Sequence, residues 1–148
     1  MADASRKAAT NVKRGGLTNA LFLTESAERL PGILAGRADL ITVVLPWGSL
    51  RHGILAADHD TVTSLRGLLR ADGELLLFLS ETDREQVDAL VSQFDGFEPL
   101  ELWEATESDV AELSSGWARR LGIPGRRVGW LARLQAGPGG ESASRSLV

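Results

Sequence analysis

Ile41-Thr42-Val43-Val44-Leu45-Pro46-Trp47-Gly48-Ser49-Leu50 is the stretch that decides how this chain folds. Its first five residues are dense in β-branched side chains, the signature of a buried parallel strand. Pro46 cannot donate to a sheet ladder, and Gly48-Ser49 punctuates the chain, so the strand stops at the proline. The indole of Trp47 is thereby presented at the strand's carboxyl end. In open α/β sheets that is the side on which ligands bind. Most tryptophans are packing residues, so the local pattern taken alone favours a core or lid aromatic.

Working outward, strands alternate with helices. Ala38 to Leu45 is an apolar strand. Thr61 to Leu69 has helical spacing through Val62, Leu65, Leu68 and Leu69. Asp72-Gly73 turns the chain into Glu74 to Ser80, a strand rich in Leu and Phe. Asp83 to Phe94 is a helix with Val87, Leu90, Val91 and Phe94 on one face. Leu100 to Ala105 reads as a strand. Thr106 to Leu121 reads as one helix, opened by Thr106-x-x-Asp109, close to a capping box. Arg127 to Leu134 alternates as a last strand. Upstream, residues 2–14 read as a basic helix that Gly15-Gly16 ends, followed by a short strand from Ala20 to Thr24. The pattern predicts an α/β fold with a parallel sheet. Its last two strands are expected to close as an antiparallel hairpin around the Thr106–Leu121 helix.

A length of 148 residues fits one domain, and a 43% hydrophobic content supplies a core. There is no cysteine, which excludes disulfides, zinc–thiolate sites and a cysteine nucleophile. Two isolated histidines make no credible metal cluster, and Asp58-His59-Asp60 reads as helix capping. No apolar run reaches about 18 residues and no signal-peptide core stands at the N-terminus, so a soluble, cytoplasmic protein without a membrane partner is expected. The net charge of −4 averages unlike regions: residues 1–16 carry +3, residues 117–148 carry +5, and the stretch between them −12. Basic ends that converge in space would form a nucleic-acid surface; left apart, they are ordinary solvated arginines. Residues 1–135 are read as the domain and 136–148, which include Gly137-Pro138-Gly139-Gly140, as a flexible tail.

Four segments in register resemble one family. Leu45-Pro-Trp-Gly-Ser-Leu50, with Arg51-His52-Gly53-Ile54-Leu55 after it, resembles the signature of the 16S ribosomal RNA adenine-N1 methyltransferases of the kanamycin–apramycin resistance type. Gly15-Gly16-Leu17-Thr18-Asn19-Ala20-Leu21-Phe22 resembles their GGLPNALF segment, with threonine at position 18 where the family prefers proline. Ser26-Ala27-Glu28-Arg29-Leu30-Pro31 resembles A-A-E-x-L-P, and Ser115-Gly116-Trp117-Ala118-Arg119-Arg120-Leu121 resembles S-x-W-x-x-R-L. The resemblance covers about Met1 to Leu134. It implies a class I S-adenosylmethionine-dependent methyltransferase sheet of Rossmann-like type. The implied activity is methylation of an adenine N1 in the decoding region of 16S rRNA, with the 30S subunit as substrate and aminoglycoside resistance as the outcome.

The resemblance also implies site residues. Trp47 and Trp117 match the family's paired tryptophans, which stack on a flipped base; helix packing is the alternative for Trp117. The carbonyl of Pro46 is placed to accept from the adenine amino group, unless the proline is only a strand stop. Ser115 matches a residue near the target base. Ala27, Glu28, Leu45, Trp47 and Ser49 match the cofactor side, although Glu28 also suits a helix start. Arg119, Arg120, Arg126 and Arg127 are the RNA-phosphate candidates. Asn19 and Thr18 are explained as well by a turn. Trp103 and Trp130 match no site and are expected in the core.

One part of such a fold is not legible. Dinucleotide-type cofactor sites open with a strand, a glycine-rich turn and a helix, then an acidic residue about 20 positions on for the ribose. This chain has no such turn after a strand. By comparison with the family, roughly the first two strands are absent. They lie in the middle of the sheet, between the Ala20–Thr24 and Ala38–Leu45 strands, so their absence leaves a hydrophobic edge open. A fragment or late start, one half of a split enzyme, and a short homologue that pairs this edge with another copy are the three readings. The first is favoured, with poor behaviour as a monomer. A non-catalytic RNA- or ribosome-binding remnant is the alternative function.

Overall fold

A computed structural model of the chain describes residues 19–20, 23, 25–80 and 83–138. After 3-10 turns at Ala27–Arg29 and Gly32–Leu34 come β1 (Ala38–Val44), α1 (Gly48–Leu55), α2 (His59–Leu68), β2 (Leu69–Leu79) and α3 (Arg84–Val91). Then follow β3 (Phe97–Glu104), α4 (Glu107–Glu112), α5 (Gly116–Leu121) and β4 (Trp130–Ala136). The strands form one sheet in the order β1-β2-β4-β3. β1 runs parallel to β2, with Thr42 opposite Leu76 and Val43 opposite Leu77. β4 is antiparallel to both neighbours, with Ala132 opposite Leu77 on one side and Leu131 opposite Trp103 on the other.

The run Leu75-Leu76-Leu77-Phe78-Leu79 shows why a near-continuous apolar segment makes a central strand. Side chains alternate across a strand. Leu75, Leu77 and Leu79 enter one core with Val43, Ile54, Val62, Val87 and Leu134. Phe78, and Leu76 at its margin, enter a second core with Leu45, Val110, Ala118, Ile123 and Leu131. The first core lies under α1, α2 and α3, and the second under α4 and α5. With both faces covered, every position of Leu75–Leu79 gains from being apolar.

β1, by contrast, is the edge of the described sheet. Leu40 is 54% exposed and Val44 36%. Among the described residues, no strand pairs with the outer edge of β1.

Local chemistry sets the helix ends. Asp58 begins α2: its carboxylate accepts from the Thr61 amide and hydroxyl, each at 3.0 Å. Thr106 and Asp109 form a reciprocal capping box at α4, with the Asp109 amide donating to Thr106 Oγ1 at 3.2 Å and the Thr106 amide to Asp109 Oδ2 at 2.7 Å. α1 and α2 approach closely at Gly53, where an added Cβ would lie 2.1 Å from Thr61 Oγ1.

Several expectations change. The single helix Thr106–Leu121 is two helices: Ser114 adopts φ +50° and Ser115 caps the second, because serine side chains compete for backbone partners. α1 fills a segment read as punctuation. β2 starts at Leu69 rather than Glu74. The body of the fold runs past residue 135. Ala136 is fully buried, and Gly137 donates to the Gly96 carbonyl at 2.9 Å while its own carbonyl accepts from Arg66. The basic segment 2–14 and residues 139–148 lie outside the described residues. So does most of the Ala20–Thr24 strand, whose described members, Ala20 and Leu23, are not in a strand. No helix among the described residues is long and apolar enough to cross a membrane.

Candidate functional site

The carboxyl end of β1 is a sharply turned, strained piece of backbone. The Leu45 amide still donates to the Phe78 carbonyl at 2.8 Å, extending the ladder by one bond. Leu45 itself has φ +46°, a left-handed conformation unusual for a leucine, and is buried. Such a residue costs about 1–3 kcal/mol and persists where the surroundings hold it. Pro46 follows, then Trp47 in extended conformation, then Gly48 at φ +64°, where a side chain would be strained. The two reversals throw the indole outward, and Trp47 is 85% exposed.

Trp117 approaches from α5. The Ser115 hydroxyl accepts from the Ala118 amide at 3.1 Å and fixes the helix start, while Ala118 buries into the second core. Trp117 is thereby left on the outer side, 55% exposed. Both tryptophans line one cavity of about 290 Å³, with Pro46, Arg51, Arg127 and Leu45 among its other walls. Two large apolar side chains standing in water at one cavity are not explained by packing.

The remaining predicted residues divide. Of the four arginines, Arg127 lines the tryptophan cavity. Arg119 borders a separate cavity of about 470 Å³ with Glu107, Ile123 and Pro124. Arg126 packs against Gly122, and Arg120 is exposed. On the cofactor side, Leu45 and Trp47 belong to the tryptophan cavity, whereas Ser49 borders a wider cleft of about 850 Å³ with Arg29, His52 and Asp58. The Ala27 turn is tied beside that cleft, its carbonyl accepting from Ser64 Oγ at 2.7 Å. The side chain of Glu28 and all of Thr18 lie outside the described residues. Asn19 is in an exposed turn. Trp130 is buried in the first core and Trp103 is half-buried against the second. Arg51 was not singled out from sequence. Its signal was the Leu50, Ile54, Leu55 spacing, which marks a helix and puts residue 51 one turn beyond Trp47.

Two carboxylates near these elements are held below the usual range, both by capping. The Thr61 amide and then its hydroxyl stabilise the Asp58 anion. The Thr106 hydroxyl, more than the Trp103 indole, stabilises that of Asp109.

Residues 1–94 match the family model described as NpmA, 16S rRNA (adenine(1408)-N(1))-methyltransferase. The chain belongs to this family. It is 33% identical over 135 residues to the 16S rRNA (adenine(1408)-N(1))-methyltransferase of Streptoalloteichus hindustanus, covering 79% of this chain and 62% of that protein. The chain thus spans less than two thirds of that relative's length. The crystal structure of the 16S rRNA methyltransferase KamB superposes with a TM-score of 0.78 at 26% identity, over 93% of this chain and 72% of the other. A W203A mutant from Catenulisporales acidiphilia, crystallised with cosubstrate SAM, has the same fold at a TM-score of 0.78 and 22% identity, over 95% of this chain and 72% of the other.

The residues assigned to the cofactor side divide between two cavities. Leu45 and Trp47 line the tryptophan cavity, Ser49 lines the wider cleft, and the Ala27 turn is tied beside that cleft through Ser64. A glycine-rich turn and a ribose-holding carboxylate, which complete such pockets, are not among the described residues.

Proposed function

We propose that this chain carries the base-binding part of a methyltransferase acting on N1 of an adenine in the decoding site of 16S rRNA, with the 30S subunit as substrate and aminoglycoside resistance as the outcome. The observation that supports it most is the pair of exposed indoles, Trp47 and Trp117, at one cavity on the carboxyl side of β1. S-adenosylmethionine, when bound, supplies the electrophilic methyl group; Ala27, Glu28, Leu45, Trp47 and Ser49 are the residues assigned to its side.

Adenine N1 carries a lone pair and no proton, so the attack needs no general base. The protein's task is to extrude the base, stack it and tolerate the charge that develops on it. Stacking contributes about 1–3 kcal/mol per base. An indole face attracts the ring more strongly as it becomes cationic, which favours the transition state over the ground state. The Pro46 carbonyl accepts from the adenine amino group and sets the edge presented. Ser115 acts through its cap, which holds the start of α5 and with it Trp117. Arg119, Arg120, Arg126 and Arg127 contact rRNA phosphates.

The edge of β1, unpaired among the described residues, favours a second reading: a ribosome-binding piece that gains cofactor only when strands from another chain, or from a second copy of this one, pair with β1. Titration calorimetry with S-adenosylhomocysteine, alongside methylation of 30S subunits, separates the two. Saturable binding with methylation that Trp47→Ala abolishes supports the enzyme. Retention on 30S subunits with neither binding nor methylation supports the second reading. Methylation that survives Trp47→Ala overturns the stacking role.

A further inference from the structure

We infer that Phe78 is a positioning residue for the tryptophan pair: its main chain holds the turn that carries Trp47, and its ring braces the helix that carries Trp117. The inference rests on the reading of the two indoles as base-stacking residues.

Phe78 is the last residue but one of β2 and is fully buried. Its carbonyl accepts from the Leu45 amide at 2.8 Å, the bond that comes just before the reversal at Leu45. Trp47 therefore hangs, two residues on, from a peptide unit anchored on Phe78. The Phe78 side chain belongs to the second core together with Ala118, the residue next to Trp117. Gly129 shows how tightly the ring is seated. A Cβ there would lie 2.6 Å from Phe78 Cε2 and 2.8 Å from Ile123 Cγ2. Ring and isoleucine close on one point, and only a residue without a side chain leaves room for both. Gly129 is not in the left-handed region, so space rather than dihedral freedom is what the glycine supplies. Its main chain is tied as well, since its carbonyl accepts from the Ala105 amide at 2.8 Å. Ile123 follows the C-cap of α5, and its amide donates to the Ala118 carbonyl at 3.0 Å. One residue thus joins both tryptophan-bearing segments, Trp47 through its backbone and Trp117 through its ring. A close-packed interior transmits a displacement instead of absorbing it. A change in the ring therefore moves α5 and leaves the bond to Leu45 in place.

The test uses the full chain, with the cationic nucleoside N1-methyladenosine as probe and quenching of tryptophan emission as the signal. Trp117→Ala should weaken binding about tenfold, the loss of one stacking contact. Phe78→Leu keeps the main-chain bond to Leu45 and removes the ring. It should weaken binding about threefold, a part of that stacking contact. In a Trp47→Ala background the same loss should recur. In a Trp117→Ala background it should vanish, because no second indole is left to misplace. Gly129→Ala should reproduce the loss by pushing on the ring, and Gly129→Ala combined with Phe78→Leu should recover part of it as the new methyl group enters the emptied slot. Ile123→Val, a milder change at the same contact, replaces Phe78→Leu if that variant does not unfold cooperatively. A loss of equal size with and without Trp117 would show that the ring supports only the fold, and overturns the positioning role. Unchanged binding in Phe78→Leu and Gly129→Ala, with Trp117→Ala weakened, overturns it too and leaves the stacking role standing. No quenching, or quenching that neither Trp47→Ala nor Trp117→Ala changes, overturns the stacking reading and the inference with it.

Discussion

β1 and β2 lie side by side in parallel register, and both read from sequence as buried apolar strands, yet they live in different surroundings. β2 is hydrogen-bonded on both edges and covered on both faces, with Leu75, Leu77 and Phe78 fully buried. Among the described residues β1 is paired on one edge only, and Val43 is in the core while Leu40 and Val44 are exposed. The same composition therefore does two jobs. In β2 it holds this chain together. In β1 it leaves a surface fit for another strand. The site sits at the carboxyl end of the less protected of the two, where Leu45 and Pro46 turn Trp47 out.

The contrast is broken most severely by truncating equivalent side chains. Leu77→Ala, at the centre of β2, should cost about 2–5 kcal/mol, because the surrounding core cannot collapse into the space left. Leu40→Ala, on the exposed face of β1, should shift stability by no more than about 0.5 kcal/mol. Chemical denaturation of the two variants checks this. Equal losses would mean that the exposed face of β1 is covered in solution.

The crossover between the two strands gives the next effect. Gly53→Ala puts a methyl group 2.1 Å from Thr61 Oγ1. Thr61 is buried and its hydroxyl is held by Asp58, so it has nowhere to move. The expected loss is about 1–3 kcal/mol, as for other overpacked cores. Adding Thr61→Ala should return part of it. The double variant, melted beside each single one, shows whether α1 and α2 meet this closely.

A smaller effect belongs to the cap on α2. Asp58 is bonded by the Thr61 amide and hydroxyl, so its pKa is lower in the folded chain than in the unfolded one. A depressed carboxylate contributes stability that is present above its unfolded value, about 3.8, and is lost as pH falls through the folded value. Asp58→Ala should therefore melt below the parent at pH 7, and the two Tm values should converge as pH drops below about 4. Asp109, held by the Thr106 hydroxyl, carries the same sign. A Tm gap that stays constant with pH would mean that the cap acts without its charge.

Much of this architecture was legible in the sequence. Ile41–Leu45 and Glu74–Leu79 announce their strands by continuous apolar character. Asp58 and Thr106 announce their helices by capping chemistry. α1 was hidden because Gly48 and Ser49 read as turn residues, although Leu50, Ile54 and Leu55 keep helical spacing. The break at Ser114-Ser115 was hidden because the surrounding apolar period continues across it. The site was less legible than the fold. Nothing local in Ser115-Gly116-Trp117 says that its indole will line the same cavity as that of Trp47, because this depends on how α5 caps and packs on Ala118. Arg51 carried no motif, and its place follows only once α1 is known to be a helix beginning at Gly48, just after Trp47.

The sharpest question left by the β1–β2 contrast is what the open edge does, and there the expected change in stability is smallest. A strand that is paired on one edge only among the described residues, with Leu40 and Val44 exposed, can add a strand from a second copy, and proteins guard such edges with charge, lysine above all. At the start of β1 an ion pair already stands, Arg70 to Asp39 at 2.6 Å, but the Leu40–Val44 stretch carries no charged side chain. Leu40→Lys puts a cation on the exposed face without entering either core. The chain should unfold at nearly the same denaturant concentration as the parent, within about 0.5 kcal/mol. If β1 pairs with a second copy, sedimentation velocity should show the parent as a concentration-dependent dimer or larger species and the variant as a monomer. A parent that sediments as a sharp monomer at all concentrations would leave the edge to strands from a different chain. A variant that unfolds several kcal/mol earlier would show that Leu40 is buried in the assembled molecule, which makes the second copy part of the fold itself.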